Sequence, residues 1–186
     1  MSRPLLVFED ITTAPRRRFF RFLGVEVMTT PYAWYSVPFF CILGILIAFG
    51  QHPETIGATT VAAGVEYGLL LYFTNVVHSL GHILAAKLVG APMEVLLLTG
   101  TRDVKLYRKA DPEPSRWMYI GRSLGGPLNN VLIGYIALGF WHATSFAWLL
   151  SLCVFNFAIA AWTLCPVPSM DGWVIWGGLL GFRKRI

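Results

Sequence analysis

Residues 77–86 read VHSLGHILAA and lie inside a long, mostly apolar run, residues 57–89. In a helix, side chains four residues apart face the same side, about 5–6 Å from each other. His78 and His82 are therefore predicted to share one helical face, from which both imidazoles can reach one metal ion. The alternative is that the two histidines only form hydrogen bonds with neighbouring helices.

The residue that follows the first histidine is unusual for a hydrolytic site. In the His-Glu-x-x-His motif, the histidines bind zinc and the Glu is the general base. Ser79 occupies the position of that Glu. The sequence thus retains the metal-binding half of the motif and lacks the half that transfers protons.

The composition indicates an integral membrane protein. The chain has 186 residues, of which 55% are hydrophobic and 13% charged, whereas an ordinary soluble domain is about one quarter charged. Its net charge of +5 comes from basic clusters beside apolar runs. Such clusters mark the cytoplasmic face and contact anionic lipid, so we predict membrane lipids and not nucleic acid as the basic surface's partner.

The apolar runs predict an all-α membrane protein with about four transmembrane helices and a C-terminal half-helix, since a span needs about 20 apolar residues. The long polar loop between the second and third spans begins with an apolar stretch, Met93 to Thr99, which could form a short strand. The third span is expected to be interrupted at residues 125–127, which read GGP. The predicted spans are residues 31–50, 57–89, 117–140 and 144–164, and the half-helix is residues 173–182.

The first 30 residues are predicted to be an interfacial amphipathic segment on the cytoplasmic side, and residues 31–186 a single membrane domain. With the N-terminus in the cytoplasm, four crossings return the C-terminus to the same side. All 15 Lys and Arg then lie on or near that side, and the outer loops, residues 51–56 and 141–143, contain none. This asymmetry predicts cytoplasmic termini, in a bacterial inner membrane or its equivalent.

A third metal ligand is available in a Pro-containing break near the C-terminus. Asp171 follows the fourth span, and a catalytic zinc site takes three protein ligands, commonly His nitrogen and carboxylate oxygen, plus water. His78, His82 and Asp171 form such a set, which predicts one zinc ion.

Three stretches in order resemble the site-2 protease family of intramembrane zinc metalloproteases (peptidase family M50). The VHSLGHILAA stretch resembles that family's His-Glu-Leu-Gly-His. Residues 125–130, GGPLNN, resemble Ala-Gly-Pro-Leu-Ala-Asn, and residues 164–172, LCPVPSMDG, resemble Leu-Leu-Pro-x-Pro-Pro-Leu-Asp-Gly. The resemblance covers about residues 57–182 and implies a site-2 protease-like core of three helices with zinc near the cytoplasmic side.

The same resemblance identifies further site residues and two departures. Ser79 occupies the position of the lost general base, and Thr163 replaces the family's Asn before Leu-x-Pro, although Asn156 lies earlier in the same span. Pro127 and Asn130 belong to the second motif. The resemblance makes these last four residues, Asn156, Thr163, Pro127 and Asn130, the candidates for binding a substrate or partner.

No carboxylate in the sequence clearly replaces the missing Glu. Glu66 lies twelve residues before His78, about 18 Å along a continuous helix. Glu94 and Asp103 belong to a loop that could fold back, but nothing in the sequence requires it. A positioned acid or base contributes about 10²- to 10⁴-fold to a rate, so an impaired enzyme is expected.

Three functions are compatible with these features. The first is a catalytically impaired site-2 protease-like protein that binds transmembrane partners as an assembly factor, a regulator or a subunit of a membrane complex. The second is an active zinc-dependent intramembrane metalloprotease with an unrecognised base. The third, a small transporter using Glu66 and the histidines, leaves the three motifs unexplained.

Overall fold

The computed structural model describes residues 14–55, 57–100, 103–107 and 114–181. Five α-helices dominate this part of the chain, preceded by a short 3-10 helix, Pro31–Tyr35. The helices are α1 (Ser36–Gln51), α2 (Ala58–Leu88), α3 (Arg116–Thr144), α4 (Ala147–Thr163) and α5 (Asp171–Leu180).

Helix α2 is the central element. Its 31 residues correspond to about 46 Å of helix, longer than a bilayer core of about 30 Å. It ends at Leu88, before Gly90, whose φ of +74° is the left-handed conformation that terminates helices. His78 and His82 therefore lie in the last third of a helix that passes without a break through the predicted site.

A four-stranded sheet makes the prediction of an all-α protein wrong. Its strands are ordered β1 (Arg17–Phe22), β2 (Val25–Thr29), β3 (Met93–Leu98) and β4 (Val104–Tyr107). Strand β3 confirms the short strand expected at residues 93–99. Strands β1 and β2 lie within the N-terminal segment that was expected to be an amphipathic surface segment. β2 pairs in parallel with β3, which joins this segment to the later part of the chain.

One face of the sheet packs on the C-terminal half of α2. Val25 and Val27 of β2, together with Met93 and Leu96 of β3, form a buried cluster with Ile83 and Ala86 of α2. The alternating burial of β2 is the pattern expected of a strand with one face on a core. This contact places β4, which pairs antiparallel with β3, beside the histidines.

Small residues bring the helices close together. A Cβ on Gly44 of α1 would overlap the backbone of Gly64 and Gly68 of α2, and a Cβ on Gly125 of α3 would lie 2.5 Å from the Gly81 carbonyl oxygen of α2. Such contacts between small residues are typical of helices in membranes. Helix α3 continues through Pro127, so the interruption expected at residues 125–127 is absent.

The outward surfaces of the helices are apolar. Phe39, Ile42 and Leu46 of α1 are each at least 60% exposed, an arrangement unfavourable in water over a contiguous face and suited to lipid. Among the described residues, two helices are long and apolar enough to cross a membrane, residues 31–51 and 58–88, and α4 is a shorter apolar helix. These features indicate a membrane protein, with two candidate spans where four were expected.

Candidate metal centre

The three predicted metal ligands converge on one point. The Nε2 atoms of His78 and His82 are 3.1 Å apart, and Oδ2 of Asp171 lies 2.9 Å from the first and 3.2 Å from the second. All three side chains are buried. Both imidazoles come from α2, where their one-turn spacing places them on the same face of the helix. The carboxylate comes from Asp171, the first residue of α5.

The hydrogen bonds assign the protons of both imidazoles. His82 Nδ1 lies 2.7 Å from the carbonyl oxygen of Arg122, and because a carbonyl can only accept, Nδ1 donates and Nε2 holds the lone pair. His78 Nε2 donates to the carboxylate of Asp171, and binding a metal ion through Nε2 would require this proton to move to Nδ1. Its Nδ1 is buried without a hydrogen-bond partner among the described residues. His82 is thus oriented for a ligand at Nε2 by a bond of the kind that supports metal-binding histidines.

The donor set fits zinc. Ligand atoms 2.0–2.1 Å from a tetrahedral zinc ion lie roughly 3.3 Å from one another, close to the three separations above. Space for the imidazoles depends on Gly126 of α3, since a Cβ there would lie 2.5 Å from the Nε2 atoms of both His78 and His82. His78, His82 and Asp171 are therefore the residues that would hold the ion.

A lysine from the sheet reaches the same point. Lys105 of β4 places its Nζ 2.7 Å from Nε2 of His82 and 3.1 Å from Oδ1 of Asp171. Its side chain is 24% exposed. Burial alone would raise the pKa of Asp171, but the hydrogen bond from His78 and the positive charge of Lys105 hold that pKa well below its usual range. The ammonium group is the positive partner of the buried carboxylate.

A carboxylate from the same strand end contacts Ser79. Asp103 directly precedes β4, and its Oδ2 accepts a hydrogen bond from the Ser79 hydroxyl. Burial raises the pKa of Asp103 above its ordinary value, partly opposed by Ser79 and Lys105. The loop acid considered in the sequence therefore does fold back onto α2. Glu94, the other acid considered there, is exposed on β3.

Strand β4 is held beside the helices by its ladder with β3 and by a contact at its C-terminal end. Its ladder with β3 pairs Lys105 with Leu96, which is fully buried against α2. At its end, the guanidinium of Arg122 lies 3.7 Å from the ring centroid of Tyr107, a cation–π contact. Burial raises the pKa of Tyr107 to about 12, so this phenol stays neutral. An open cleft of about 520 Å³ beside β4 leads to Lys105 and Asp171.

Among the described residues, Asn156 and Thr163 of α4 form their hydrogen bonds away from His78, His82 and Asp171. Asn156 is fully buried, and its amide nitrogen donates to Thr74 of α2 at 3.2 Å and to the carbonyl of Leu152 at 2.9 Å. Thr163 donates to the carbonyls of Ile159 and Ala160 in its own helix. Asn156 therefore links α4 to α2 one turn before His78, whereas the hydroxyl of Thr163 is used locally.

The second motif lies in the contact between α3 and α2. Pro127 and Asn130 are both fully buried, and the amide of Asn130 has no hydrogen-bond partner among the described residues. Its neighbour Asn129 donates to the carbonyl oxygen of Val77 at 2.7 Å. The motif thus packs against the turn that carries His78. A role of Asn130 or Pro127 in binding a substrate or partner stays a prediction.

A solved structure has the same fold. The structure of the site-2 protease from Methanocaldococcus jannaschii aligns with a TM-score of 0.59 and 22% sequence identity, over 91% of this chain and 74% of that one. The chain has a site-2 protease-like fold. No protein-family model matches the sequence, and no curated protein is significantly similar to it in sequence. This similarity confirms the fold that the three motifs implied.

Sequence reasoning missed Lys105 and Arg122, and it set Asp103 aside. In the sequence, Lys105 lies in the long polar loop and Arg122 lies in the third predicted span. One signal was available: Asp103 and Lys105 are two residues apart, so in an extended chain they point to the same face. The sequence does not predict which residues this face of the strand contacts, because those contacts depend on where β4 packs.

Proposed function

We propose that this site-2 protease-like membrane protein binds transmembrane partners and is impaired in peptide cleavage. The observation that carries this proposal is that the polar side chains of the site form hydrogen bonds and ion pairs with one another. Lys105 uses the lone pair of His82 and the charge of Asp171, and Ser79 donates to Asp103. In this arrangement no group on α2 beside His78 can take a proton from water and return it.

The proposal includes one zinc ion, which would stabilise the site without supporting efficient peptide cleavage. When bound, it would lower the pKa of a bound water toward about 7 and polarise a carbonyl group. A serine hydroxyl cannot replace Glu as a proton carrier near neutral pH, which removes about 10²- to 10⁴-fold of rate. The role would then be that of an assembly factor, a regulator or a subunit of a larger membrane complex, with cytoplasmic termini in a bacterial inner membrane or its equivalent.

Cleavage assays in liposomes test this function. The native chain and His78→Ala, each supplied with zinc, are incubated with candidate single-span proteins. We expect no zinc-dependent cleavage by either, and we expect proteins that co-purify with the native chain to co-purify also with His78→Ala. Cleavage by the native chain that disappears in His78→Ala would contradict the proposal. Ser79→Glu restores the carboxylate and serves as the gain-of-function comparison.

An active protease is the alternative, and the contact between Asp103 and Ser79 favours it. A partly buried carboxyl with a raised pKa is suited to general base catalysis. If the native chain cleaves, Asp103→Asn should lower kcat about 10²-fold or more, while Glu94→Gln, an exposed acid on the preceding strand, should leave it unchanged. Equal rates in native chain and Asp103→Asn would exclude Asp103 as the base.

The transporter hypothesis gains no support from the site. Glu66 is exposed on α2, and it lies three helical turns away from His78. The histidines are paired with Asp171 and Lys105. No described contact connects Glu66 with the cluster, so a proton path between them has no structural basis in the described residues.

A further inference from the structure

We infer that Lys105 is a built-in competitor for the metal, so that metal binding to His78, His82 and Asp171 requires the lysine to leave. The inference deepens the proposed function, because it names what controls the state of that same site. It rests on which atoms the lysine uses, on the assigned protons and on the space beside β4.

The first step concerns the lone pair of His82. Its Nδ1 carries the proton donated to Arg122, which leaves one lone pair, at Nε2. The ammonium of Lys105 donates to that atom at 2.7 Å. A metal ion needs the same lone pair, so lysine and metal cannot both be bound to His82.

The second step concerns charge. Asp171 is buried, and a buried carboxylate requires a positive partner or hydrogen bonds. Lys105 supplies the positive charge at 3.1 Å. A divalent ion would supply it instead, and it would repel an ammonium left at this distance. One carboxylate and two neutral imidazoles cannot stabilise both cations, so one excludes the other.

The third step concerns where the lysine goes. The open cleft beside β4 is lined by Lys105 together with Asp103, Tyr119, Ser123 and Ser169, among others. A flexible four-carbon side chain can turn into this cleft while β4 keeps its ladder with β3. The ammonium then meets polar groups and solvent, and Asp103 remains within the same cleft to balance its charge.

Titration of the purified, metal-free full-length chain with Co²⁺ in detergent tests the inference. The d–d absorption and the Kd are measured for the native chain, Lys105→Met and Lys105→Arg. Lys87→Met is the matched control, because Lys87 is exposed at the end of α2. We expect Lys105→Met to bind Co²⁺ at least tenfold more tightly than the native chain, and Lys105→Arg and Lys87→Met to stay near native. The double variant Lys105→Met/His82→Ala should lose the tight site.

A second measurement uses the native chain and does not depend on a variant folding. Lys105 and Lys87 are acylated with a water-soluble amine reagent, and each is quantified by mass spectrometry with increasing Co²⁺. The rate at Lys105 should rise as metal displaces the side chain, while the rate at Lys87 should stay constant. Equal Co²⁺ affinity in native chain and Lys105→Met, no binding by either, or an unchanged acylation rate at Lys105 would overturn the inference. Zinc-dependent cleavage by the native chain would instead refute the proposed binding function and leave the competition intact.

Discussion

Replacing Asp171 by Leu should lower the free energy of unfolding by roughly 3 kcal/mol, the lower end of the range for breaking a buried ion pair from one side. The substitution removes the negative partner of Lys105, although the contact of its ammonium with His82 remains. It also removes the acceptor of His78 Nε2. The loss is measured by unfolding in mixed micelles with increasing SDS.

A double-mutant cycle separates the ion pair from other effects of the substitution. The variants are Asp171→Leu, Lys105→Met and both together. Because the second change removes the orphaned charge, the double variant should be more stable than the sum of the single losses predicts. Glu26→Gln is the control, since the exposed pair of Glu26 with Arg18 at 3.8 Å should be worth less than about 1 kcal/mol. Additive losses within the cycle would show that the two side chains do not stabilise each other.

Replacing Gly126 by Ala should abolish metal binding and destabilise the protein by about 1–3 kcal/mol, the usual cost of overpacking. The added methyl group would meet both imidazoles at their Nε2 atoms, where the ion would be held. Either the histidines turn away or α3 moves away from α2. Zinc stoichiometry after dialysis and stability in mixed micelles measure the two effects.

Gly139→Ala is the matched control for this substitution. Gly139 belongs to the same helix, and nothing lies within 4 Å of the Cβ that would be added. Alanine has a higher helix propensity than glycine, so this variant should be as stable as the native chain or slightly more stable, with unchanged metal binding. Full zinc occupancy in Gly126→Ala would show that the imidazoles do not need the space the structure reserves for them.

Residue identity and spacing were enough to predict the long helices and the three candidate metal ligands. Apolar runs of sufficient length and the four-residue spacing of His78 and His82 are local properties, and helical periodicity converts them directly into geometry. The carboxylate of Asp171 in a Pro-containing break predicted a third ligand, the family resemblance supported it, and the structure brings the three side chains together. The absence of a carboxylate at position 79 is also evident from the sequence, because Ser79 occupies the position of the motif's Glu.

The side chains that surround the three candidate ligands depend on long-range packing. The parallel pairing of β2 with β3 joins segments more than 60 residues apart, and no local periodicity encodes such a partner. That pairing and the packing of the sheet on α2 carry Lys105 to His82 and Asp103 to Ser79. Helix α3 likewise continues through Pro127 because it is supported by close packing on α2, although the local residues favour a break. Local sequence thus specified the donors of the cluster, and long-range packing specified the cation and the acid that face them.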